Sequence, residues 1–134
     1  MKEYWIISCN VKYHDIFSHV KETDEIVFKR RVSIQNDDVV YIYVSAPYQE
    51  IRFRCHVIDN SVDRETVAEK YKYVLRSDGA NFMKLKIDYE IEHGKIPLDF
   101  IRTYGIQKIL TPIRMPKKLR EYIIEFEKER IVQN

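Results

Sequence analysis

The chain has 134 residues, 45% hydrophobic, 13% aromatic and 33% charged; area scaling gives such a chain one core without disulfides or a structural metal, and the mixed charge argues against disorder. Lys and Arg number 23 against 21 Asp and Glu, a formal net charge of +2, which excludes coating of nucleic acid by bulk charge and leaves room for a local basic patch. No apolar run is long enough to span a bilayer.

The opening Met1–Ser8 lacks a signal-peptide apolar core and cleavage site, so a cytoplasmic protein is expected. Lys2–Asn10 reads as a strand, with Trp5, Ile7 and Cys9 on one face and Tyr4, Ile6, Ser8 and Asn10 on the other. Ile16, Phe17 and Val20 predict a short amphipathic helix within Tyr13–Val20. Glu25–Arg31 is a short apolar run ending in three cations, and Gln35–Asp38 has turn composition, with Asp37 and Asp38 a solvated lead into the next strand. Val39–Ser45 and Glu50–Ile58 form a hairpin around Ala46–Gln49; in its second arm Ile51, Phe53, Cys55 and Val57 alternate with Arg52, Arg54 and His56.

Asn60–Val74 reads as an irregular, partly helical excursion capped by Asn60 or Ser61 and ending at Asp78–Gly79. Phe82–Ile91 is a strand with Met83, Leu85, Ile87, Tyr89 and Ile91 on one face. A short helix opens at Pro97 and closes by Gly105. Lys108–Thr111 adds a short strand, and Leu119, Tyr122, Ile123 and Phe126 mark an amphipathic helix over Pro116–Ile131. The order of elements predicts one α+β domain over residues 1–134: a small, strongly curved, mostly antiparallel sheet or open barrel with flanking helices.

Phosphate-cradling loops need clustered glycines, and the three glycines are isolated. The histidines show no metal-ligand spacing; His14 and His19, five apart, are expected to diverge around a helix. Cys9 and Cys55 have no neighbouring cysteine and read as buried small hydrophobes. No cofactor is implied. The aromatics carry more information: ten Tyr, six Phe and one Trp. Tyr48, after Pro47 in the hairpin connection, is placed to cover a planar ligand or to pack on a neighbouring loop. Phe28, before Lys29-Arg30-Arg31, reads either as a stacking ring beside phosphate-seeking cations or as a buried anchor beside a solvated charge run.

The succession YWIISCN, helix, EIVFKRR and DDVVYIYVSAPYQEIRFRCHVID resembles the EVE domain of the PUA-like superfamily, related to YTH domains. The stretch from FMKLKIDYEIEHGKIPLDF to KKLREYI is similar to the later half of such domains in modification-dependent restriction proteins. The resemblance implies a non-enzymatic module of PUA-like type that flips a modified base, methylated cytosine or adenine in DNA ahead of RNA, into an aromatic pocket. By position it implies base-binding roles for Cys9, Asn10, Tyr13, Phe28, Ser45, Pro47 and Tyr48. Lys29, Arg30, Arg31, Arg52 and Arg54 then hold phosphates. A separate nuclease or NTPase is the implied partner, in a restriction or defence setting. A small PUA-like enzyme acting on RNA or a nucleotide, and a protein-interaction module, are the alternatives.

Overall fold

A computed structural model describes residues 2–30, 33–63, 82–110 and 112–133, with side chains of the last helix described to Lys128. Among the described residues nine elements follow in order: β1 (Tyr4–Cys9), α1 (Ile16–Glu22), β2 (Glu25–Lys29), β3 (Val39–Val44), β4 (Glu50–Val62), β5 (Phe82–Glu90), α2 (Leu98–Arg102), β6 (Ile113–Arg114) and α3 (Lys117–Gln133). They build one six-stranded sheet in the order β2-β5-β4-β3-β1-β6. The sheet is open and mixed. β1 runs parallel to β3, while the other neighbouring strands pair antiparallel.

β3 is buried along its whole length because both faces of the sheet are covered. Its even residues Val40, Ile42 and Val44 join Trp5, Ile7, Cys9, Ile16 and Phe53 in one apolar layer. Its odd residues Val39, Tyr41 and Tyr43 join Ile6, Leu98, Ile101, Leu119 and Ile123 in a second, beneath α2 and α3. The single expected core is thus two layers sharing one sheet, and the alternation read along β1 holds.

The alternation fails at two bulges. In β4, Ile42 faces Phe53 but Tyr43 faces Ile51, so Arg52 is an extra residue. Ile51 therefore turns to the α3 face, opposite to the predicted side shared with Phe53. In β5, Arg54 faces Tyr89 and Cys55 faces Ile87, leaving Asp88 extra, and Tyr89 packs on the α3 face although Ile87 does not. A bulge reverses the period-two pattern beyond it and adds twist, which a face assignment from spacing alone misses.

Three further expectations change. Asn60 and Ser61 lie within β4 instead of capping a helix, and residues 64–81, with Asp78–Gly79, lie outside the described residues. The strand expected at Lys108–Thr111 falls at Ile113–Arg114, where Met115 N–H reaches Tyr4 O at 2.9 Å. Asp38 is not solvated: it is 2% exposed, and its carboxylate accepts the Trp5 indole N–H at 3.0 Å and the backbone N–H of Glu3 and Gln35, each at 2.9 Å. Three donors on one carboxylate fix the entry to β3 against β1.

Candidate functional site

Past Cys9 the chain leaves the sheet in a tight turn, with the backbone N–H of Tyr13 and of His14 both donated to Asn10 O at 3.0 Å. The exposed Asn10 side chain accepts Lys12 N–H at 3.0 Å, an Asx turn that leaves Lys12 and Tyr13 at the surface. Asp15 then caps α1, accepting the Ser18 hydroxyl at 2.7 Å and the Ser18 N–H at 3.2 Å. These bonds hold its carboxyl below the usual range.

The β3–β4 turn is tied to this loop. Ser45 donates its N–H to Cys9 O at 3.0 Å, and its hydroxyl accepts Val11 N–H at 3.4 Å. Ala46–Pro47 is a cis peptide. Pro47 and Tyr48 are exposed, and the Tyr48 ring lies 4.8 Å from Phe17, tilted by 50°. Phe17 in turn lies 5.6 Å from Phe53 and carries the Arg52 guanidinium at 5.0 Å.

On the other side of the loop, His14 and His19 meet. His14 Nε2 and His19 Nδ1 are 2.9 Å apart, and both residues are 7% exposed. The predicted divergence assumed both on the helix, but His14 precedes the cap Asp15, so the turn swings it back over the first helical turns. The half-buried Phe28 ring lies 5.3 Å from His14. Phe28 also packs against the α1-face layer, and the Tyr48 ring rests on Phe17 of α1 instead of on a neighbouring loop. Among the described residues no ring contact joins Phe28 to Tyr48; each touches a different ring of the 10–17 segment, His14 and Phe17 respectively.

Burial sets the electrostatics. The Cys9 thiol, 3.6 Å from His14 O, is pushed up to about 12 by burial and then by Asp15. His14 is lowered to about 4, first by burial and then by His19, with Asp15 opposing. At neutral pH both are uncharged. Neither is poised as a nucleophile or general base.

The five candidate cations divide. Arg52 is 8% exposed and fully engaged, its Nε on Ile91 O at 2.7 Å, Nη2 on Glu90 at 2.6 Å and Nη1 on the buried Glu50 at 3.5 Å. Glu50 also binds His93 and accepts the N–H of Gly94 at 2.6 Å, clamping the hairpin turn to the segment before α2. Arg54 lies on the α3 face, 3.4 Å from Glu127 and 3.8 Å from Asp88. Lys29 and Arg30 are half-buried at the end of β2, with Arg30 Nε on Ile34 O at 2.9 Å. Arg31 lies outside the described residues. Sequence reasoning missed Lys12 and the histidine pair; reading Asp15 as the cap would have placed His14 off the helix.

No family model and no curated protein matches the chain. Solved structures match it by shape. A mutant ASCH protein from Zymomonas mobilis is similar at a TM-score of 0.68, covering 93% of this chain and 96% of its own at 11% identity. The human THYN1 protein, in complex with 5-methylcytosine-containing DNA, gives 0.67 over 94% and 98% at 9% identity. The fold is PUA-like. The Mmi1 YTH domain extends the PUA-like set, at 0.60 over 99% of this chain and 79% of its own with 12% identity. At these identities the likeness is one of architecture, and the side chains of this PUA-like domain must be weighed on their own geometry.

Proposed function

We propose that the chain is a PUA-like reader of the EVE type, which binds nucleic acid and holds one modified base, DNA ahead of RNA, turned out of its duplex beside the β1–α1 loop. The observation that carries this reading is the stitching of that loop to the β3–β4 turn by Ser45. It gathers Tyr13, 47% exposed, Tyr48, 40% exposed, and the cation Lys12 at one end of the sheet. Extruding a base costs a few kcal/mol, and stacking on a ring returns about 1 to 3 kcal/mol. Phe28 and Tyr48 are the stacking rings of the proposal, with Asn10, Tyr13, Ser45 and Pro47 around them and Cys9 as an uncharged wall. Lys12, Lys29, Arg30 and Arg31 hold phosphates; Arg52 and Arg54, spent on internal carboxylates, are left out of the grip.

The solved complex of THYN1 with 5-methylcytosine DNA supports the ligand class through the shared fold. The uncharged states of Cys9 and His14 support binding over turnover. Cleavage, where it follows, then belongs to a separate nuclease or NTPase. A methyl group contributes only about 0.8 kcal/mol through burial, so strong preference requires a close-fitting wall. The test is binding at fixed salt to matched oligonucleotides with unmodified, 5-methylated or hydroxymethylated cytosine, or N6-methyladenine. One modified member is expected to bind at least several-fold tighter than its unmodified match; equal affinities throughout overturn the modified-base claim.

A further inference from the structure

The His14–His19 contact has no counterpart in the roles assigned above, yet it is a buried polar pair at the wall of the proposed site. We propose that His14 reads the polar edge of the bound heterocycle through its Nδ1, with His19 as the positioning residue behind it. This rests on the reading under Proposed function and assigns its hydrogen-bonding group.

Three observations converge. The first is placement: His14 shares its backbone turn with Asn10, lies against Cys9 through the Sγ contact to its carbonyl, and sets its ring 5.3 Å from Phe28. A base stacked on Phe28 thus has an imidazole beside it. The second is hydrogen-bonding capacity. His14 Nε2 is taken by His19 Nδ1 at 2.9 Å, but among the described residues His14 Nδ1 forms no hydrogen bond, although the residue is only 7% exposed. The atom is not sealed from solvent, so it is open to a hydrogen-bonding group that a ligand brings to the rim.

The third is the proton arrangement. A neutral imidazole has one N–H and one acceptor nitrogen. When His14 Nε2 holds the proton and donates to His19, Nδ1 accepts from the ligand; when His19 Nδ1 donates instead, His14 Nδ1 carries the proton and donates. One tautomer change thus lets the same atom meet either an amino group or a carbonyl on a base edge. An uncharged ring held this way suits a neutral heterocycle better than a phosphate, which would favour an imidazolium.

The test uses the full chain and the oligonucleotide panel. His14→Phe is expected to weaken binding of the preferred oligonucleotide about tenfold, as for one buried hydrogen bond left unmade. His14→Asn, whose amide nitrogen and oxygen occupy the region of Nδ1, should recover most of that loss. The salt dependence of binding should keep its slope in both variants, because no phosphate contact is removed; a slope reduced by about one would assign His14 to a phosphate and overturn the proposal. Because His14→Phe alters packing, wild-type protein labelled with nitrogen-15 histidine gives a second readout: the His14 Nδ1 resonance shifts on saturation with the preferred oligonucleotide. A fixed resonance, or a His14→Phe variant with wild-type preference, overturns the role of His14 and leaves the base reading standing. Equal affinities of the wild-type protein across the panel defeat both.

Discussion

On the α3 face Glu127 accepts the Tyr41 hydroxyl and pairs with Arg54, whose guanidinium also faces Asp88, itself 2.7 Å from His56. On the α1 face the buried groups at the sheet end include Cys9, His14 and His19, with exposed tyrosines beside them, while Arg52, paired with Glu50 and Glu90, lies over Phe17. The first region answers each charge with an opposite charge across the β3–β4–β5 row and the last helix, and it pushes the Tyr41 hydroxyl's pKa upward by burial and the Glu127 contact. The second keeps Cys9 and His14 uncharged and leaves aromatic surface uncovered. Internal pairing locks a helix to a sheet; uncharged polar groups at a rim stay available to an incoming ligand.

The sharpest way to break this contrast is Glu127→Ala. It strips a partner from both Tyr41 and Arg54 inside the protein and should cost about 3 kcal/mol in urea unfolding. Oligonucleotide affinity of the folded fraction should stay unchanged. A stability loss near zero would remove the lock from the α3 face.

The next effect is acid sensitivity on the α1 face. His14 sits near 4 when folded against an ordinary 6.5, so the unfolded chain binds the extra proton between those values. The stability associated with its neutral form is full above about pH 6.5 and is lost as pH falls toward 4, by at most about 3 kcal/mol. Thermal unfolding across that window should show the slope in the wild type and a flatter profile in His14→Phe.

Tyr48→Ala comes third. Its ring is half in solvent, so unfolding should change by less than about 1 kcal/mol, while the preferred oligonucleotide should weaken by roughly 5- to 150-fold, the range of one base stack. The reverse ranking would make Tyr48 a packing residue on Phe17. Smallest is Lys12→Ala, expected to lower affinity a few-fold across all oligonucleotides and the salt slope by about one, as titration at several salt concentrations would measure.

The parts legible in the sequence are those governed by neighbours along the chain. Alternation in β1 and β3, the hairpin, the short helix after Pro97 and the stripe of α3 follow from residue spacing. Ile51 was misplaced because the bulge at Arg52 is set by pairing with β3, which local alternation does not encode. Arg52 and Arg54 looked like free cations because Glu90, Asp88 and Glu127 lie far along the chain. Asp38 looked solvated because its donors come from three separate positions. The aromatic candidates were visible as residue types, but the histidine pair required the turn at Asn10 and the cap at Asp15 to be read together.

The tie between Val11 and Ser45 joins positions 34 residues apart, across the whole excursion from β1 to its parallel partner β3. Closing such a span carries an entropic penalty that the local β3–β4 hairpin escapes, so this corner should assemble after that hairpin has zipped. A ligand gripping the completed corner would then prolong the life of the folded chain by slowing its opening, while leaving the rate at which the chain folds almost untouched.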